Sequence, residues 1–158
     1  MLTEKTRNTI DHWVSKFPED KKRSALIQSL MAAQEQNGGW ISRELTEAVA
    51  EYLDLPSVWA HEVVSFYSMF FSEPVGRHKV NICTNISCWL NGADAIVARA
   101  EEKLGVKLGE TTGDGRITLV REEECLAGCC GAPMAVVDGH YHENLDLQKL
   151  DEILEGLE

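Results

Sequence analysis

Five cysteines lie in the second half of this 158-residue chain: Cys83, Cys88, Cys125, Cys129 and Cys130. Cys83-Thr-Asn-Ile-Ser-Cys88 is a C-x4-C pair and Cys125-Leu-Ala-Gly-Cys129 a C-x3-C pair, with 36 residues between them. Four converging thiolates suit structural zinc or an iron–sulfur cluster. Structural zinc usually takes tight pairs, often C-x2-C knuckles, and neither pair here has that spacing. A [2Fe–2S] body is wider than one ion and fits looser loops. The small residues Ala127, Gly128 and Gly131 let backbone N–H groups approach the sulfurs. Disulfide exchange commonly uses C-x-x-C, which the chain lacks, and a bridge between the adjacent Cys129 and Cys130 strains the backbone. Spacing therefore favours the cluster, with zinc and thiol redox chemistry as the open alternatives.

Composition sets the setting for that chemistry. With 15 Lys+Arg against 26 Asp+Glu the net charge is −11. Residues 1–76 carry 7 basic and 11 acidic groups (−4), and residues 77–158 carry 8 and 15 (−7), so the cysteine half is the more acidic. Clustered cations that would track phosphates are missing, so nucleic acid is not an expected partner. Apolar residues make up 44% and charged residues 26%, as in ordinary globular proteins. No apolar run approaches the ~18 residues of a membrane span, and the first residues, Met1-Leu2-Thr3-Glu4-Lys5, do not read as an export signal. The expectation is a reducing cytosol, where clustered cysteines more often bind metal or do redox work than form disulfides.

The elements that must position the cysteines fall into two parts. The first reads as helices. Ile10, Trp13, Val14 and Phe17 mark one, and Ile27, Leu30 and Met31 mark a second from about Asp20 to Gln36, stopped by Asn37-Gly38-Gly39. Ser42 caps a third, with Leu45, Val49, Tyr52 and Leu53 on its apolar side, and Ser57 a fourth, with Trp59, Val63 and Val64. The run Phe66 to Phe71 is almost continuously apolar, and we read it as part core, part docking surface. Ser72 to Gly76 reads as a linker.

After the linker the pattern changes. Lys79 to Ile82 alternates like a strand and delivers the chain to Cys83. A helix follows over about Trp89 to Leu104, then a turn at Thr112 to Gly115 and a strand at Ile117 to Val120. Met134 to Val137 and His140 to His142 pair around Asp138-Gly139, and Leu147, Leu150 and Leu154 mark a last helix. Strand, helix, strand, strand, helix is the core of a thioredoxin-like fold. The expected class is α/β: an N-terminal helical bundle over 1–73, then a thioredoxin-like domain over 74–158. Each cysteine pair follows a strand, so the two loops can meet at one end of the sheet. Trp89 is expected to pack near the cysteine loop, and His61, His140 and His142 read as ordinary structural or surface residues.

At these residues the chain resembles the E subunit of bacterial NADH:quinone oxidoreductase, respiratory complex I. The resemblance covers nearly the whole chain. It is carried by Gln36-Asn-Gly-Gly-Trp40-Ile, Val63-Val-Ser-Phe-Tyr67-Ser-Met-Phe70, Pro74-Val-Gly-Arg77-His, the C-x4-C pair, Gly113-Asp-Gly, and Glu124-Cys-Leu-Ala-Gly-Cys129-Cys-Gly-Ala-Pro133. It implies a thioredoxin-like [2Fe–2S] ferredoxin domain with Cys83, Cys88, Cys125 and Cys129 as cluster ligands. It also implies a flavin-containing, NADH-binding F-type partner that holds the FMN and the nicotinamide site, with other peripheral-arm subunits beyond it. This chain would then sit in the cytoplasmic arm of a membrane-associated complex without entering the membrane, as an electron-transfer subunit of an NADH dehydrogenase that is not catalytic alone. A diaphorase subunit of an NAD-linked hydrogenase or formate dehydrogenase is the nearest alternative, and a zinc-stabilised interaction module the alternative from another class.

Two features depart from the family pattern. The second motif is commonly Cys-Leu-Gly-x-Cys, but glycine here stands one position later, at Gly128. Cys130 occupies a position that is usually not cysteine, and we expect a free thiol beside the site. Glu122, Glu123 and Glu124 precede Cys125. Their charge would disfavour an added electron and lower the potential; the alternative is a solvated loop whose charges are screened.

Overall fold

The computed structural model describes residues 1–121 and 124–158. The chain forms two compact units, Met1–Pro74 and Val75–Glu158.

The first unit is helical. Helix α1 (Glu4–Val14) starts at Thr3, whose hydroxyl accepts the Thr6 N–H, and α3 (Arg43–Tyr52) starts at Ser42, whose hydroxyl accepts that of Leu45. Each cap satisfies an amide the helix leaves unpaired and is worth about 1 kcal/mol. Between them α2 (Leu26–Gln36) ends at Asn37, and Gly38 and Gly39 take positive φ, as the sequence predicts. Ile10, Leu30, Ile41, Leu45, Val49, Leu53 and Ala60 form the core.

Local structure departs from the sequence reading in several places. The stretch Glu19–Ala25 is a 3-10 segment kinked at Lys21, so the second helix starts at Leu26 instead of near Asp20. Met31 is exposed, not packed with Leu30. Helix α4 (Ser57–Phe66) begins after Pro56, and Ser57 is its first residue, not its cap. Proline already presets the backbone at a helix start. The aromatic run that follows is divided: Phe70 is buried, whereas Phe66 and Met69 are exposed. Gln34 fixes the end of this run by donating to the Met69 carbonyl (3.0 Å) and accepting the Phe71 N–H (2.9 Å).

The second unit is a four-stranded sheet in the order β2-β1-β3-β4. Strands β1 (His78–Ile82) and β2 (Ile117–Val120) are parallel, whereas β3 (Ala135–Val137) runs antiparallel to β1 and to β4 (His140–His142). A parallel pair needs a crossover, and α6 (Ala93–Leu104) lies in that connection. With α7 (Leu147–Glu155) it contributes Ile96, Ala100, Leu150 and Leu154 to the core around Val80, Ile82, Ile117, Leu119, Ala135 and Val137. Arg99 grips Asp151 with two nitrogens (3.1 and 2.7 Å), tying α6 to α7. Leu147, expected in the core, is exposed because α7 starts there, capped by Asp146.

The helix expected over Trp89 to Leu104 is two helices. A short α5 (Ile86–Leu90), capped by Asn85, ends at Asn91, and Gly92 at φ +88° turns the chain into α6. That break lets Cys88 sit inside α5 while α6 packs on the sheet.

Candidate functional site

Both cysteine loops leave the same end of the sheet because β1 and β2 are parallel. Cys83 directly follows β1, and its N–H donates to the Met134 carbonyl beside β3 (3.1 Å). Cys88 lies in the first turn of α5. These two thiols are buried and pack with Ala93 and Met134. Cys125 and Cys129 follow β2, and both are exposed.

The four thiols form one interacting set. Cys125 Sγ and Cys129 Sγ are 3.4 Å apart. The two loops meet where Ser87, beside Cys88, donates its hydroxyl to the Cys129 carbonyl (3.2 Å), and the Cys83 thiol acts electrostatically on Cys88 and Cys125. Burial, then the neighbouring Cys83 thiol, pushes the Cys88 thiol up to about 11. The Ala127 N–H, donating to Cys125 Sγ over 3.4 Å, holds that thiol below its ordinary value, with Cys129 adding to the effect. Sharing the bond with Cys125 raises Cys129. Inner thiols hidden from water and outer thiols at the surface make the site two-sided.

The rest of the loop explains how it is held. Ala127 sits at φ +61°, a left-handed conformation that L-residues with a Cβ disfavour. Tyr141 on β4 donates its hydroxyl to the Leu126 carbonyl (2.9 Å), and Ser87 on α5 donates to the Cys129 carbonyl (3.2 Å). A Cβ on Gly128 would lie 2.9 Å from Met134 Cε, the flexible end of that side chain, so glycine lets the loop lie this close without moving it. Of the small residues, Ala127 brings its N–H to a sulfur as the sequence suggests, whereas Gly128 and Gly131 lie against the side chains of Met134 and Glu143. Tyr141 carries no motif, and Ser87 is one of the unspecified positions of the C-x4-C pair. They belong to other elements, and only the fold brings them to the loop.

Several expected features sit elsewhere. Trp89 is more than half exposed, and its indole N–H bonds Asp94 (2.9 Å) instead of packing under the loop. His61 lies 3.6 Å from Glu47 in the helical unit. His140 is exposed and His142 half-buried on β4. Cys130 is exposed beside Cys129. Of the three carboxylates before Cys125, Glu122 and Glu123 lie outside the described residues, and Glu124 is exposed. Among the described residues, no three or more His, Cys, Asp or Glu side chains are arranged around a single metal ion. No helix among them is long and apolar enough to cross a membrane.

A family model described as thioredoxin-like [2Fe–2S] ferredoxin matches residues 10–158. The chain belongs to this family. The thioredoxin-like ferredoxin fold accounts for the parallel β1–β2 pair, the antiparallel hairpin and the helices α6 and α7. A four-thiol donor set on two loops fits the family's [2Fe–2S] cluster: sulfur ligands suit iron, and the outer pair is exposed. Relatives include the E subunit of the NADH-quinone oxidoreductase of Rickettsia felis, 41% identical over 96% of this chain and 90% of its own length. The second E subunit of the Rhizobium meliloti NADH-quinone oxidoreductase is 40% identical over 95% and 87%. Among solved structures, an NAD+-reducing [NiFe]-hydrogenase in the air-oxidised state matches with a TM-score of 0.67 over 81% of this chain. At 23% identity that likeness concerns the fold alone, and this chain spans only 22% of the hydrogenase chain.

Proposed function

We propose that this ferredoxin is the E-type electron-transfer subunit of an NADH:quinone oxidoreductase, with Cys83, Cys88, Cys125 and Cys129 as the four ligands of its [2Fe–2S] cluster. The observation that carries the ligand set is the meeting of both cysteine loops at one end of the sheet, where Cys125 Sγ lies 3.4 Å from Cys129 Sγ and Ser87, beside Cys88, donates to the Cys129 carbonyl. The identity of about 40% to the E-type relatives, over nearly their full length, supports this complex over a hydrogenase diaphorase.

A cluster bound there supplies storage and release of one electron at a time. The chain's own residues provide the setting. Cys83 and Cys88, inside the protein, exclude water from one side. Cys125 and Cys129, at the surface, leave the other side within reach of a donor. Ala127 presents its N–H to a ligand sulfur, which favours the more negative state of that sulfur. Met134, fully buried, closes the inner wall. The donor partner is a flavin-containing, NADH-binding subunit that holds both FMN and nicotinamide, and the assembly lies on the cytoplasmic side of the membrane as a peripheral arm.

Anaerobically purified protein should carry about two irons and two acid-labile sulfides per chain with little zinc. About one zinc and no sulfide would make the chain a zinc-stabilised interaction module and end the electron-transfer reading. Cys130→Ser should leave both contents unchanged, because four other thiols complete the set. Iron falling together with that substitution would move Cys130 into the ligand shell.

A further inference from the structure

One peptide plane in the outer loop is bonded at both ends. The Leu126 carbonyl accepts the Tyr141 hydroxyl (2.9 Å), and the N–H of the next residue, Ala127, donates to Cys125 Sγ (3.4 Å). These two groups belong to the same trans peptide, so they point in opposite directions. Fixing the carbonyl therefore aims the N–H. Rotating this plane by half a turn would face the Leu126 carbonyl dipole to the sulfur and take the Tyr141 hydroxyl's acceptor away.

The orientation is not one that the loop adopts freely. Ala127 stands at φ +61°, where a Cβ crowds the backbone and glycine would be at ease. An outside tie must hold it. Tyr141 is well placed, because β4 registers it opposite Val136 on β3. Its ring also lies against Gly128, where a Cβ would meet Tyr141 Cδ1 at 3.4 Å.

We propose that Tyr141 is a positioning residue that sets the reduction potential of the site by holding the Leu126–Ala127 peptide with its N–H on Cys125 Sγ. This rests on the reading of Cys125 as a cluster ligand. Reduction adds negative charge to the ligand sulfurs, and an N–H aimed at a sulfur stabilises that charge. A hydrogen bond on the carbonyl also polarises the plane and strengthens its N–H donor. Without the hydroxyl the peptide is free to turn, and the reduced state loses part of its stabilisation.

The test is Tyr141→Phe in the full chain, which keeps the ring against Gly128 and removes only the hydroxyl. Ser87→Ala is the comparison, because it removes a hydroxyl-to-carbonyl tie on the same loop at a different peptide, that of Cys129. Iron and sulfide are counted in each protein, and the potential is read by an EPR-monitored redox titration. The expected result is wild-type iron in Tyr141→Phe, with reduction disfavoured about threefold, or ~28 mV lower at 59 mV per tenfold for one electron. Ser87→Ala should shift the potential by less than Tyr141→Phe does, since its bond does not fix an N–H on a sulfur. A wild-type potential in Tyr141→Phe, or an equal fall in both variants, overturns the proposal in favour of plain loop support. Loss of iron from Tyr141→Phe alone does the same. If the wild-type protein itself lacks iron and sulfide, the cluster reading fails first, before any variant is compared.

Discussion

Cys83→Ala should lower bound iron and acid-labile sulfide about tenfold from their wild-type content of about two each per chain, measured after anaerobic purification. Three reasons make this the most damaging single ligand change. Cys83 is buried, so no water or surface thiol can stand in for it. It follows β1 directly, and its N–H is held by the Met134 carbonyl, so its position is set by the sheet and not by a loop that can adjust. Its thiol also acts on those of both Cys88 and Cys125, and so links the inner pair to the outer one. Alanine is the better probe because a serine oxygen can still bind iron. The core around Val80, Leu119 and Leu150 does not include Cys83, so the iron-free variant should keep its far-ultraviolet circular dichroism. Near-normal iron content in Cys83→Ala would remove Cys83 from the ligand set.

Gly76→Ala should destabilise the ferredoxin unit by about 1–3 kcal/mol, the usual range for forcing extra atoms into a packed site. A Cβ there would lie 2.9 Å from the Ile117 carbonyl carbon and the Thr118 nitrogen, and 3.0 Å from the Arg116 oxygen. All three are backbone atoms, so no side chain can swing aside. The Gly76 N–H also donates to Thr118 Oγ1 (2.7 Å), and the next residues pair with Gly115 and Arg116 on the way into β1. Moving Gly76 away would therefore loosen the start of the β1–β2 ladder. A melting temperature lower by roughly 4–8 °C for each kcal/mol is expected for a unit of this size. Gly113→Ala is the control, since nothing lies within 4 Å of its Cβ position, and it should melt like the wild type. Equal melting of the two variants would show that the chain before β1 gives way easily.

The helical unit was largely legible residue by residue. Thr3 and Ser42 cap as their types suggest, and the stop at Asn37 follows from the two glycines after it. Such features depend on a few neighbouring residues, so a local pattern contains them. The misreadings share the opposite cause. Met31 and Leu147 have apolar side chains at plausible positions but face solvent, because the direction of a helix face is settled by what packs on it. The break at Asn91-Gly92 was hidden by the apolar spacing on both sides of it.

The candidate site divides in the same way. The type and spacing of Cys83, Cys88, Cys125 and Cys129 were enough to favour an iron–sulfur cluster, because ligand chemistry is a property of the side chains themselves. Their placement after two strands was enough to bring them to one end of a sheet, because parallel strands end together. Which pair lies inside and which outside was decided only by the tertiary structure, since burial depends on α5, α6 and β3 closing over Cys83 and Cys88. The same holds for Tyr141, which reaches the cysteine loop from β4. Its hydrogen bond exists only because antiparallel pairing returns the chain to the place where the Cys125 loop begins, and no spacing rule connects residues joined through space in that way.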